Sequence, residues 1–511
     1  MMVDAKGARW AVLATLLLVL SLGQRLPSFV DVPLDRDEGA YAFIAQQWSR
    51  GAALYRDYFD HKPPLVYGAY RLGFAVGEER LATVRVLFAG ATAATALACA
   101  VAGWLLHRQA ACAALTALAA CVFLSSPLVQ GETANSETLM VLASAWGACT
   151  LLHGVRARRT RCVLVAGVCC GTAALAKPVA VLEALFFAAW LVTQSARPLP
   201  QLLRFAGGIL VPFVAWGSYA VTQGTLAASF DAVVLYNVRY AGGATVPLWA
   251  RVAAIPIDYG LPLALLWAGV AGCTLTALRT DPHPPNFALG WTIAALAGTL
   301  AGGRIYDHYY QALVPPMAVA LGVTVAAIRR RAPGRGALGA GLVAVALGLW
   351  PPVAASWRFA TERAGGDCAD WQPPLATVLR QLTNPAETIL VWGAAPYLYF
   401  AAERRPVSRF IYTYPLLGDT EQTRRARHEL FAAVGRQAPA AIVVVKREAT
   451  AESQEPPVRQ ILAEGAPFRR LLDGYAPALE APEFIVFARA QRPALPWRQR
   501  WEAAQTAACG D

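Results

Sequence analysis

The chain has 511 residues, 56% hydrophobic and 15% charged, with mean hydropathy +0.40. Soluble domains are roughly 45–50% apolar and about 25% charged, so this composition excludes an ordinary soluble protein and predicts a polytopic membrane protein. The formal net charge of +12 does not point to nucleic acid, because the arginines sit in short loops between apolar windows rather than along an aromatic-basic stripe.

The first apolar window, 10–28, follows Lys6 and Arg9 and lacks a small-x-small cleavage site, so it is expected to remain as an uncleaved span. Next comes the most polar stretch of the membrane part, Asp35-Arg36-Asp37-Glu38-Gly39-Ala40-Tyr41, and then Asp57-Tyr58-Phe59-Asp60-His61-Lys62-Pro63-Pro64. Tyr41, Ile44, Ala45 and Trp48 recur at helical spacing over Glu38–Ser49, which predicts a short amphipathic helix lying in the membrane interface. Leu65–Phe74 is expected to be a second such helix, since proline suits a first helical turn.

Further apolar windows follow at 82–106, 110–128, 138–155, 161–176, 179–194, 205–222, 252–278, 287–301, 312–328 and 337–356, about eleven in all at the roughly 20 residues a crossing needs. The pair 161–176 and 179–194 is short and joined by Lys177-Pro178, a tilted or re-entrant arrangement in which Lys177 serves the site or snorkels to the interface. Placing the N-terminus in the cytoplasm puts the Arg-rich loops at 156–161, 197–204, 279 and 329–335 inside. The acidic and aromatic loops at 29–81, 129–137, 223–250 and 302–311 then fall outside. An odd number of spans also puts the C-terminal part outside.

From about Arg358 the composition changes. Thr388–Gly393, Ala441–Val445 and Phe484–Phe487 are short β-branched or aromatic runs separated by helical patterns at Asp419–Gln437 and Pro457–Glu464. The expected organisation is therefore a membrane domain over 1–357 and a small extracytoplasmic α/β domain over 358–511. Most of the ten cysteines fall within apolar windows, and no CxxC metal spacing occurs. Cys368 and Cys509 bracket the α/β domain and are candidates for a disulfide or for two free thiols.

Three loops on the outer face carry complementary charge: the first loop, Glu132–Glu137, and Gly302–Gln311. Ionisable groups at a membrane usually face a cavity or a partner, so one shared outer cavity is expected. Carboxylates beside cations there suit group transfer from a phosphate ester, in which cations hold the leaving phosphate and a carboxylate takes the proton of an attacking hydroxyl. Asp35, Arg36, Asp57 and Glu132 read as solvated or structural loop charges. Asp37, Glu38, Lys62 and Glu137 read as functional, because each abuts a helix start or an apolar run. The acids also offer ligands for a divalent metal, though without a fixed ligand spacing.

Asp37-Glu38 with Tyr41-Ala42, then His61-Lys62-Pro63-Pro64-Leu65, then Asn135-Ser136-Glu137, resembles the GT-C superfamily of membrane glycosyltransferases. The nearest group is the bacterial family similar to protein O-mannosyltransferases and aminoarabinose (lipid A) transferases. Gly303–Pro316, Val391-Trp392-Gly393 through Tyr399, Arg405 and Arg409-Phe410 extend the resemblance into the tail. It implies a polyprenyl-phosphate-linked sugar donor, used with inversion at the outer face of the cytoplasmic membrane without a nucleotide. The acceptor would be a lipid, polysaccharide or protein hydroxyl. By motif position, Asp37 matches the catalytic carboxylate with Glu38 beside it, Lys62 the donor-phosphate lysine and Glu137 a second acid. Tyr41, His61, Arg304, His308 and Tyr309 are placed with phosphate or acceptor. That family often has Asp where this chain has Glu137. The alternative class is a transporter or flippase of a polyprenyl-linked or anionic substrate, which calls for polar groups at mid-membrane; Glu183 is the main such residue noted. A structural or sensory membrane subunit is a third reading.

Overall fold

The computed structural model describes residues 5–242, 246–279, 283–331, 335–364, 370–447, 456–463, 466, 468–490 and 496–509. Its helices in chain order begin with α1 (Ala5–Arg25), α2 (Arg36–Ser49), α3 (Leu65–Gly77), α4 (Leu81–His107), α5 (Ala110–Leu124), α6 (Ser136–Arg156), α7 (Thr160–Ala176), α8 (Val181–Gln194) and α9 (Pro198–Thr222). Then come α10 (Leu226–Phe230), α11 (Tyr236–Gly242), α12 (Leu248–Tyr259), α13 (Ala264–Arg279), α14 (His283–Ala301), α15 (Val314–Arg331) and α16 (Arg335–Ala364). By length and composition six helical segments among the described residues are long and apolar enough to cross a membrane, or seven if a bent pair counts as one. Four shorter apolar helices stand beside them, and the chain is a multi-pass membrane protein.

The window 252–278 is not the single straight span expected. It is α12 and α13, between which the chain bends by 112°. Pro256 cannot donate its helix hydrogen bond, and Gly260-Leu261-Pro262 offers little to continue the helix, so the chain turns there. Lys177-Pro178 likewise divides α7 from α8, with Pro178 opening a short 3-10 turn.

The two helices of the first loop form where expected, but α2 does not lie with one face open. Gly39 to Gln46 are all buried, because α2 is covered on one side by α3 and on the other by the C-terminal α/β unit. That unit contains α17 (Gln372–Leu382), α18 (Tyr397–Ala402), α19 (Glu421–Arg436), α20 (Pro457–Leu462) and α21 (Trp497–Cys509). They accompany a sheet of β1 (Thr388–Trp392), β2 (Arg405–Pro406), β3 (Ala441–Val445), β4 (Tyr475–Glu480) and β5 (Phe484–Arg489), in the order β2-β1-β3-β5-β4. β1 pairs in parallel with β2 and β3; β5 pairs antiparallel with β3 and β4. β1 and β3 are buried at every position, which is why they read as unbroken apolar runs. Cys368 lies outside the described residues, as does the side chain of Cys509.

The α/β unit is tied to the first loop by backbone and ring contacts. The Phe59 amide donates to the Arg409 carbonyl (2.8 Å), and Phe43 packs against Tyr399 with ring centroids 5.5 Å apart. Phe74 stacks on Phe400 (5.6 Å). At Gly39 the approach is so close that a Cβ would lie 2.7 Å from the Tyr397 nitrogen. Gly39→Leu is therefore expected to force α18 off α2, with a loss of about 1–3 kcal/mol. It should show as a lower melting temperature and faster proteolysis between the membrane helices and the sheet.

Candidate active site

Asp35 caps α2, its Oδ1 accepting from the Asp37 amide at 3.5 Å, so Asp37 and Glu38 occupy the first turn where the helix dipole favours carboxylates. The two neighbouring acids then part company. Asp37 turns to Lys62, whose Nζ lies 2.8 Å from Oδ2, while the Tyr41 hydroxyl donates to the same oxygen at 3.3 Å. Arg36 stands 3.9 Å from Oδ1 and donates to the Tyr306 hydroxyl at 3.4 Å. Burial alone would raise the Asp37 carboxyl, but Lys62, Arg36 and His308 outweigh it and hold it well below the usual carboxylate range. Burial would also lower the Lys62 ammonium; Asp37 reverses that and keeps it protonated. Asp35, read from sequence as a solvated or structural loop charge, is structural, half-buried at the cap of α2. Burial and the neighbouring Asp37 raise it to about 6, and its Oδ2 meets the Asn135 amide at 3.3 Å.

Glu38 turns the other way and is fully buried. Arg85, near the start of α4, gives it Nε (3.0 Å) and Nη2 (2.6 Å), and its remaining hydrogens go to the carbonyls of Ser28, Val30 and Val32 at 2.6–2.8 Å. Glu38 also accepts from the Leu34 and Ala134 amides, both at 2.8 Å. Burial would raise Glu38, yet Arg85 and these amides keep it ionised. One ion pair therefore gathers the strand of loop before α2, the start of α2, α4 and the loop that leads into α6.

A second acid–cation group stands at the start of α6. Glu137 is in contact with Lys177 and lies 3.6 Å from His308 Nε2. Lys177 also sits over the Tyr309 ring, 3.8 Å from its centroid, and His308 Nδ1 meets Gln130 at 2.6 Å. Both groups open on one cavity of about 650 Å³, within the usual size of a ligand site. Its polar end is formed by His61, Lys62, Glu137, Lys177 and Tyr309, and it runs down between apolar side chains of α7, α8 and α9, among them Leu175, Leu182, Ile209 and Phe213. Val233 and Val234 in the π-helical turn Asp231–Leu235, with Asn237 and Tyr240 of α11, form another wall. Asn237 holds that wall to the first loop by donating to the His61 carbonyl at 2.7 Å.

Of the residues singled out in the sequence, Asp37, Tyr41 and Lys62 thus come together, and so do Glu137, His308 and Tyr309. His61 lines the cavity beside Lys62 and pairs with Asp60. Arg304 is buried, with its guanidinium 4.4 Å from the Tyr240 ring centroid. Glu38 faces Arg85, away from Lys62. Glu132, read as a solvated or structural charge, has its Oε2 buried without a hydrogen-bond partner among the described residues, and burial raises the carboxyl to about 7. Asp57 is a turn residue, accepting from the Ala53 amide (2.7 Å) and pairing with exposed Arg56. Glu183, the mid-membrane acid, accepts from the Trp291 indole at 2.5 Å. Among the described residues no group of three or more His, Cys, Asp or Glu is placed to hold a metal. The sequence reading left Lys177 undecided and missed Arg85; both are lone cations in apolar surroundings, which is the signal that marks them.

No protein-family model matches the sequence, and no curated protein matches it. Solved structures do match in fold. ArnT from Cupriavidus metallidurans, crystallised with undecaprenyl phosphate, is 17% identical with a TM-score of 0.65, over 96% of this chain and all of that one. The oligosaccharyltransferase AglB from Archaeoglobus fulgidus, in complex with an inhibitory peptide and a dolichol-phosphate, is 13% identical with a TM-score of 0.53, over 95% of this chain and 75% of that one. A crystal structure of the oligosaccharyltransferase from the same organism, tethered to an acceptor peptide, gives 13% and 0.52. The chain thus shares the fold of these two proteins.

Proposed function

We propose that the chain is an inverting glycosyltransferase that moves a monosaccharide from a polyprenyl-phosphate donor to an acceptor hydroxyl at the outer face of the cytoplasmic membrane. The observation that carries this is the cavity itself, with carboxylate–lysine pairs at one end and an apolar channel between membrane helices leading away from them. A lipid phosphate has that same division of polar head and apolar tail. The fold shared with proteins solved with undecaprenyl phosphate and dolichol-phosphate supports the reading.

In the free enzyme Lys62 and Asp37 neutralise one another. An entering phosphate competes for Lys62, and each step of that exchange leaves Asp37 less compensated and therefore more basic. Asp37 then takes the proton of the acceptor hydroxyl as its oxygen attacks the anomeric carbon from the side opposite the phosphate. Lys62 and Lys177 hold the phosphate as it departs, while Tyr41 keeps Asp37 aligned. Glu38 acts through Arg85 by fixing the start of α2. Lys62→Ala is expected to raise the apparent KM for the lipid donor, lower turnover, or both, measured with a donor series in vesicles.

The four shorter apolar helices complete about eleven crossings in this reading, with the N-terminus in the cytoplasm and the α/β unit outside. Cysteines placed at Ser49 and Arg425 should both label with an impermeant thiol reagent on intact cells, whereas one at Arg158 should not. Labelling of only one of the first two would mean a miscounted span. The proposed activity is tested by comparing envelope glycans from cells lacking the gene, restored with wild type or with Asp37→Asn. A monosaccharide lost on deletion, returned by wild type and not by Asp37→Asn, supports the reading; unchanged glycans in all three would oppose it.

A further inference from the structure

Beside the Asp37–Lys62 pair stands a second dyad that the steps above do not use. Asp60 is almost fully buried; it accepts from the His61 amide at 2.6 Å and the Tyr67 hydroxyl at 2.8 Å, and its Oδ1 lies 3.3 Å from His61 Nδ1. Burial would raise the Asp60 carboxyl, but the hydrogen bond and charge of His61 hold it ionised. Tyr236 and Tyr240 lie against the His61 ring at centroid distances of 5.4 and 5.2 Å, and the Tyr414 hydroxyl is 3.4 Å from Nδ1. With Nδ1 turned to Asp60 and Tyr414, the far nitrogen, Nε2, is the one left for the cavity that the ring lines. A carboxylate on Nδ1–H is the arrangement that orients an imidazole and fixes its tautomer.

The charges of the site say what such a group is for. Until Asp37 takes its proton Lys62 is shared between it and the phosphate, and Lys177 stays paired with Glu137, so the two lysines meet little more than one negative charge on the donor. A sugar phosphodiester enters with one negative charge. When its C–O bond breaks, the electron pair goes to the phosphate oxygen and a second charge develops beside an apolar channel, where an uncompensated charge is costly.

We propose that His61, oriented by Asp60, is the general acid that protonates the departing phosphate oxygen. This rests on the lipid-phosphate donor reading above. The acceptor O–H breaks and its proton goes to Asp37; the acceptor oxygen bonds to the anomeric carbon; the carbon–oxygen bond to phosphate breaks; and Nε2–H passes its proton to that oxygen. Asp37 then releases its proton to solvent and His61 takes one up, so the net transfer is of the acceptor proton to polyprenyl phosphate. Asp60 is a positioning residue. The groups against the ring besides Asp60 are Tyr236 and Tyr240 of α11, with Arg304 behind Tyr240, and Tyr414 of the α/β unit; Lys62, Tyr67 of α3 and Tyr412 act on Asp60.

The test is single-turnover release of polyprenyl phosphate by the full chain in vesicles for wild type, His61→Gln, Asp60→Asn and Asp37→Asn. Two donors are compared, the natural type and a short analogue fluorinated beside the phosphoester oxygen, whose departing phosphate is less basic. His61→Gln should be about 10²-fold slower than wild type with the natural donor. The fluorinated donor should restore most of the rate to His61→Gln and Asp60→Asn but not to Asp37→Asn, an effect a merely structural role would not produce. His61→Gln with the wild-type rate overturns the general acid and leaves the donor reading standing. A wild type that releases no polyprenyl phosphate from either donor overturns both.

Discussion

Asp37→Asn is expected to insert and fold normally and to transfer sugar about 10²–10⁴-fold more slowly than wild type, the usual worth of a general base. The amide keeps the shape of the side chain and still meets Tyr41, so α2 retains its first turn. What is lost is the site for the acceptor proton and the counter-charge of Lys62, whose Nζ is 2.8 Å away. In the proposed mechanism the low basicity of Asp37, enforced in the free protein by Lys62, Arg36 and His308, is relieved as the donor phosphate engages Lys62. Donor binding without acceptor should therefore survive in Asp37→Asn while turnover does not. Equal loss of donor binding would assign Asp37 to phosphate binding through Lys62 rather than to proton transfer. In the absence of acceptor, the wild type should bind the donor comparably.

Arg85→Leu is expected to have the largest effect on stability. It strands Glu38, whose two oxygens are wholly buried, and takes the guanidinium donor from the carbonyls of Ser28, Val30 and Val32, of which Ser28 keeps the Val30 amide. Removing one partner of a buried ion pair typically costs about 3–5 kcal/mol. The lesion should appear as low yield and a depressed melting temperature, with activity lost in proportion to folded protein. Glu38→Gln, which keeps the shape and one acceptor, should be milder. If Glu38→Gln instead folded at the wild-type melting temperature and lost turnover as Asp37→Asn does, Glu38 would be a participant in the chemistry and not a support for α2.

The membrane part was legible because apolar windows and charged loops are strong signals, and the complementary charges of three outer-face loops were enough to suggest a shared cavity. Which of two adjacent acids turns toward Lys62 was not legible from the residues themselves; only the family resemblance singled out Asp37. Helix geometry sends Asp37 and Glu38 about 100° apart, but only the position of Arg85 decides which faces inward. Arg85 escaped notice because it falls inside an otherwise apolar window, where it scored as a break of one residue in a span. The burial of α2 was missed for a different reason: its second cover, α18, is about 350 residues away in sequence, and no local pattern reports it. In the α/β unit, β1, β3 and β5 were read from their apolar runs, whereas β4 was not. It is an edge strand with a bulge at Pro477, and proline argues against a strand when only the sequence is in view. The bend between α12 and α13 was hidden because hydropathy averaged over a window does not register a prolyl break.

The most direct test follows a doubly labelled polyprenyl-phosphate monosaccharide, with one label in the sugar and one in the lipid, in vesicles containing the purified protein and an envelope extract as acceptor. Sugar label should leave the lipid at the same rate as free polyprenyl phosphate appears, and both should fail together in Asp37→Asn. Donor that crosses between leaflets with its two labels still joined, and no polyprenyl phosphate released, would contradict a glycosyltransferase and establish a transporter instead.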